Sequence, residues 1–211
     1  MRRASTTALF AILSAAVGVA SAADNATVNA VWVDEDLSFT YVGFTSHYSC
    51  GGIRDKVAYV MQQLGARPDF KVTVAGCLNA SSGPEIMPRV RVRAALPREA
   101  TPTVLAELTR ERSTRELAAH AQGKPAAVAD EATAAFPAAW RMVTFEGTPS
   151  SAVQDGDCEL MEQLIRQVLV PMGVREVKGS KLDCVPHQVP LNAVNVKLQV
   201  LAPTRAPPAK G

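Results

Sequence analysis

Aromatic residues make up only 5% of this 211-residue chain, and histidine occurs three times. So few aromatics leave little with which to stack bases, and a formal net charge of +2 supplies no global field to gather nucleic acid. No serine-hydrolase elbow, phosphate-binding glycine loop or dinucleotide glycine pattern occurs. Asp155 and Asp157 lack calcium-loop spacing, and Asp34, Glu35 and Asp36 read as a turn. Past the first residues, no run approaches the roughly 20 apolar residues that span a bilayer. These absences argue against a nucleotide-dependent enzyme, a nucleic-acid binder and an integral membrane protein.

What is present begins with an export signal. Arg2 and Arg3 form a basic end, Ala8 to Val19 an apolar run, and Ala20, Ser21 and Ala22 a small-residue cleavage site, so the mature chain is expected to begin near Ala23. The flanks of a twin-arginine signal are missing, and no cysteine follows the cleavage site to take a lipid. A periplasmic or secreted protein without an integral membrane segment is the expectation. Losing Arg2 and Arg3 takes the formal charge from +2 to zero. A chain of the remaining size buries roughly 70% of its unfolded surface, so its four cysteines reinforce a real core rather than replace one. Asn25 and Asn79 begin formal glycosylation triplets, which beside a bacterial-type signal are read as chance.

The cysteines mark a repeat. Cys50 precedes Leu64, Gly65, Ala66 and Arg67 at the same spacing with which Cys158 precedes Met172, Gly173, Val174 and Arg175, and Cys77 and Cys184 follow. Ile53, Val57, Val60, Met61 and Leu64 lie on one face of a helix that Ser49 caps and Gly65 ends. Leu160, Leu164, Val168 and Met172, widened by Met161, Ile165 and Leu169, make the matching stripe, with Asp157 and Glu159 at its start and Pro171 and Gly173 at its end. An extended run follows each helix: Phe70, Val72 and Val74, then Val174 and Val177 toward Leu182. A helix of that length advances about 21 Å, and a strand of about seven residues returns about 23 Å. Each second cysteine is thereby brought back near the helix start, which predicts Cys50–Cys77 and Cys158–Cys184 disulfides worth roughly 3 to 4 kcal/mol each.

A further strand is expected in each copy, Arg89 to Leu96 and Asn195 to Ala202, ending at Pro97 and Pro203. Leu37 to Phe44 and Arg141 to Glu146 are expected strands upstream of each helix, with Val28 to Val33 as a possible edge strand. The fold class is therefore α+β: two tandem strand-helix-strand-strand units, each with one internal disulfide and antiparallel strands, joined by a helical linker. The divisions are a signal at 1–22, a first unit at 23–97, a helix over Thr103 to Gln122 with an alanine- and proline-rich loop within 98–140, a second unit at 141–203, and a frayed tail at 204–211. The joining helix is expected to cover a sheet edge.

Three constellations carry possible chemistry, each beside a plainer reading. His47 and His187 stand three residues from Cys50 and Cys184, so lobes in contact would assemble zinc-type ligands. Against this, paired-cysteine knuckles are missing and export favours disulfides, so no metal or other cofactor is expected. Cys50 at a helix start near His47 has the setting of an activated thiol, with His47 or His187 as base. Its counterpart Cys158 sits among Asp155, Asp157 and Glu159, which oppose a thiolate and favour a structural role for both. Arg89, Arg91 and Arg93 project from one strand face as an anion or polysaccharide contact, the alternative being a solvated face.

FTSHYSCGG at Phe44 to Gly52, LGARPDFKV at Leu64 to Val72 and CVPHQ at Cys184 to Gln188 resemble segments of uncharacterised exported proteins of proteobacteria. The resemblance implies an envelope or secreted location and brings no activity and no functional residue. The expected function is accordingly a non-catalytic envelope protein that binds an envelope partner or small ligand in a groove between two lobes. The alternatives are a thiol-dependent enzyme or redox factor using Cys50, and a periplasmic metal-binding protein. The ligand-binding candidates are Arg89, Arg91, Arg93, His47 and His187.

Overall fold

The computed structural model describes residues 27–44, 46, 48–76, 87–123, 134–188 and 193–204, which form a mixed α+β structure. In chain order these are β1 (Val28–Thr40), α1 (Cys50–Gln63), β2 (Lys71–Ala75), β3 (Arg89–Glu99), α2 (Pro102–Ala121), β4 (Phe136–Glu146), α3 (Cys158–Leu164), β5 (Arg175–Glu176), β6 (Lys181–Asp183) and β7 (Ala193–Pro203). The strands join one antiparallel sheet in the order β2-β3-β1-β4-β7-β5, with β6 also on β7. At its centre β1 meets β4 through only Val28–Ala30 against Phe136–Ala138.

Alternation decides which side is buried. Leu37 and Phe39 of β1, Val90, Val92, Ala94 and Leu96 of β3, Val143 and Phe145 of β4, and Val194, Val196, Leu198 and Val200 of β7 all point to one side. There they meet Ile53, Val57, Val60 and Met61 of α1 and Leu160, Met161 and Leu164 of α3 in one cluster. The helical stripes expected from sequence are thus the ones that are buried. Ser49 caps α1 by accepting from the Gly52 N–H, and Gly65 ends it at φ 79°.

The two halves share this core. The turn after α3 packs on β1, Tyr59 of α1 meets the Phe145 ring of β4 at 6.5 Å, and Arg141 Nη2 donates to the Gln63 carbonyl of α1 at 2.5 Å. The expected pair of separate lobes with a groove between them is therefore corrected: both helices need more apolar sheet than three strands offer, and one continuous sheet supplies it. The expected role of the joining helix is corrected too. α2, capped by Thr101 and opened by Pro102, sets Val104 and Leu108 on Val31 and Val33, on the same side as the other helices rather than at an edge.

Several element boundaries also differ. Leu37 to Thr40 and Val28 to Val33 are not two strands but parts of one, β1, near the sheet centre, and Tyr41 to Phe44 lie beyond its end; Asp34 and Asp36 are strand residues paired to arginines, not a turn. β3 passes through Pro97 to Glu99, because the Pro97 nitrogen points away from β1 and β2 pairs only as far as Arg93. β4 starts at Phe136 rather than Arg141, so the linker ends earlier than 140. The helix expected to run from Cys158 to Met172 leaves α geometry at Ile165 for a π turn through Leu169, closed by Val170 N–H to the Ile165 carbonyl at 2.9 Å. Pro171 accounts for this: its ring must clear the carbonyl four residues back, and the wider turn makes room. The run from Val174 to Leu182 is split into β5 and β6, since Gly179 turns the chain at φ 88° and the Ser180 hydroxyl takes up the Lys197 N–H and carbonyl. The second half is therefore not a strand-helix-strand-strand unit.

Cys158 and Cys184 form a disulfide with Cα atoms 5.5 Å apart, tying the start of α3 to the end of β6. Cys50 is also disulfide-bonded, while its expected partner Cys77 lies outside the described residues, as do the export signal and the tail beyond Thr204. A shared core has a measurable signature. Leu164→Ala, at a position with no exposed surface, should cost about 2 to 5 kcal/mol. In urea it should shift one common transition for both halves; two separable transitions by circular dichroism would refute the shared core.

Candidate binding face

With α1, α2 and α3 on one side, the opposite side of the sheet carries no helix among the described residues. Two kinds of side chain meet on it. Toward β2 lie Lys71 and Thr73, then Arg89, Arg91 and Arg93 of β3, then Asp34, Asp36 and Ser38 of β1. At the centre lie Val28, Ala30 and Trp32 of β1 with Phe136, Ala138 and Trp140 of β4, packed around Leu201. Both tryptophans of the chain are on this face.

The arginine row is real but unevenly neutralised. Arg91 holds Asp36 through two hydrogen bonds, of 2.6 and 2.5 Å, which keep the Asp36 carboxyl below its ordinary titration range. Arg93 reaches the same carboxylate only at 3.4 Å, and Arg89 meets the Ser38 hydroxyl at 3.3 Å. Arg67 crosses the sheet to Asp34 at 2.7 Å and is braced by Asp69. Such exposed pairs are screened by water and salt and add little to stability.

In the centre, Trp32 and Phe136 pack with ring centroids 5.3 Å apart. The Arg175 guanidinium lies 3.9 Å from the Trp140 ring centroid, and Glu99 accepts from Trp140 Nε1 at 3.1 Å while pairing with Arg175 at 3.5 Å. This arrangement fixes the indole with its polar edge satisfied. Sequence reasoning missed these aromatics, although their alternation with Ala30 and Ala138 was the available signal.

On the helical side a polar seam joins the halves. Asp157, nearly buried, accepts from Tyr48 OH at 2.5 Å, Lys56 Nζ at 2.7 Å and its own capping partner, the Gln154 N–H, at 2.8 Å. Gln163 clamps both backbone groups of Val42, and Glu159 accepts the Phe44 N–H at 2.9 Å. Asp155 accepts the Val194 N–H. The seam's carboxylates are committed to structure as well as to the helix start assigned from sequence. Burial, reinforced by the Asp157 carboxylate, pushes the Tyr48 hydroxyl far above its ordinary range, and burial does the same to Tyr41.

The other candidates do not gather into a site. His187 lies edge-on to Phe44 at 6.3 Å with φ 63°, and His47 lies outside the described residues. Cys50 carries no thiol, being disulfide-bonded. Among the described residues no three His, Cys, Asp or Glu side chains group as metal ligands. A cavity of about 280 Å³ between α1 and the end of β4 is lined by Tyr59, Thr144, Phe145, Glu146, Thr148, Ser151 and Val153. Its Ser151 hydroxyl is held among the carbonyls of Glu146, Thr148 and Val153. No protein-family model, no curated protein and no solved structure matches this chain.

The seam has a pH signature. Tyr41 and Tyr48 stay protonated in the folded state at pH values where the unfolded chain ionises them, so the folded state binds more protons above about pH 10. Stability should hold below that pH and fall as pH rises past it, measured by urea unfolding between pH 8 and 11. Tyr48→Phe should make the decline shallower; an unchanged decline would show that this phenol does not contribute.

Proposed function

We propose that this chain is an exported, disulfide-stabilised binding protein without catalytic activity, and that the helix-free face of the sheet is its binding surface. The observation that carries this reading is the segregation of the three described α-helices to one side, with Trp32, Phe136 and Trp140 beside Arg89, Arg91 and Arg93 on the other. Trp32, Phe136 and Trp140 are half-buried and leave part of their apolar surface in water, which gives up stabilisation of about 25 cal/mol per Å² unless an occupant covers it. Met142, on this face, is 55% exposed. The Cys158–Cys184 disulfide supports an oxidising compartment, periplasmic or secreted. A partner of the envelope, rather than a substrate to be transformed, suits a face with no activated nucleophile.

The same proposal includes duplication. The interval from Cys50 to Cys158 also separates Val28 from Phe136, the first residues of β1 and β4, and Asn29 from Pro137, the middle pair of the central joint. Two copies facing each other across a two-fold axis at that pair account for the strand order, β2-β3-β1 meeting β4-β7-β5. In this reading each copy closes its own disulfide, Cys50 with Cys77 and Cys158 with Cys184.

Peptide mapping without reduction should yield those two linked pairs, and any other pairing of Cys50 would remove the duplicated staple. For function, a photo-reactive residue placed at Met142 should form adducts in the intact envelope. The same residue at Arg115, on exposed α2, should not. Equal yields at both positions would count against the sheet face as the binding surface.

A further inference from the structure

We infer that the helix-free face takes an acidic polysaccharide, with its anionic groups on Lys71, Arg89 and Arg93 and a sugar ring against Trp32; this rests on the binding reading above. Lys71 and Arg93 are directly opposite on adjacent strands, both exposed. Like charges so placed repel, and an anion between them turns the cost into attraction. Among the described residues Lys71 has no acidic partner, Arg89 has only a hydroxyl, and Arg93 has the longer of the two contacts to Asp36. Three cations on one face are therefore incompletely neutralised.

The layout favours a chain over a small anion. Same-side residues along a strand are about 6.6 to 6.8 Å apart, so the row from Arg89 to Arg93 covers about 13 Å and continues as far again to Trp32. A single phosphate would use one end of that track, whereas a linear polymer would use all of it. The face is also open, unlike the enclosed clefts that bury small ligands. Asp34 and Asp36 lie inside the track. They accept hydrogen bonds from sugar hydroxyls, which a polyuronate carries on every ring and a deoxyribose polymer lacks along its chain. Trp32, packed on Phe136, offers an apolar ring for the C–H face of a sugar.

Polygalacturonate, neutral dextran and poly(dT) distinguish the possibilities, with tryptophan fluorescence as the readout because both indoles lie on this face. Polygalacturonate should alter the fluorescence and bind more weakly as salt rises, while dextran and poly(dT) should not bind measurably. Lys71→Ser with Arg93→Ser should weaken binding about tenfold. Arg89→Ser alone should weaken it less, and both variants should keep the native circular dichroism spectrum. Equal binding of dextran or poly(dT), no binding of polygalacturonate, or variants that bind as the native chain does would each overturn the inference. Loss of polygalacturonate binding with Met142 cross-links retained would overturn the polysaccharide alone and leave the binding face standing.

Discussion

The structure depends on one constraint: two amphipathic helices must bury their apolar stripes against a sheet that neither half can make wide enough alone. The short joint of Val28–Ala30 with Phe136–Ala138 solves this by fusing the three strands β2, β3 and β1 edge to edge with the four strands β4, β7, β5 and β6. Once they are fused, α1 can reach Phe145 and Arg141, and the turn after α3 can reach β1. The polar seam of Asp157, Tyr48, Lys56 and Gln163 follows from that proximity, since it fills the place where the start of α3 meets the chain leaving β1. Packing the described helices on one side leaves the other side of the sheet without a helix.

Much of the helical architecture was legible in the sequence because periodicity is a local signal. Ile53, Val57, Val60 and Met61 are buried as their spacing requires, and Ser49 and Gly65 bound the helix as their chemistry requires. The Cys158–Cys184 bond was legible because the chain after the helix runs back to its start, although it returns through two short strands rather than one. What was not legible was long-range. Asp34 to Asp36 resembled a turn only because their partners Arg67, Arg91 and Arg93 are distant in sequence. The single sheet in place of two lobes rests on three residue pairs whose members are ordinary apolar residues and a proline.

The helix-free face shows the same division. Alternation in β3 exposed Arg89, Arg91 and Arg93 on one side without revealing that Asp36 sits across from them. Trp32, Phe136 and Trp140 are far apart in the chain, and only the joint brings them onto one surface. His187 and Cys50, attractive by spacing, are held by a ring contact and a disulfide respectively.

The central joint also sets the order in which the polypeptide can mature. β1 leads the described chain, yet its neighbour β4 arrives only after α2. Until then Val28 to Ala30 have one unpaired border, and closing the sheet demands a contact of long sequence separation. Such topologies fold slowly. A nascent chain that must wait for its second half remains pliable through most of its synthesis, which leaves it dependent on protection against premature self-association.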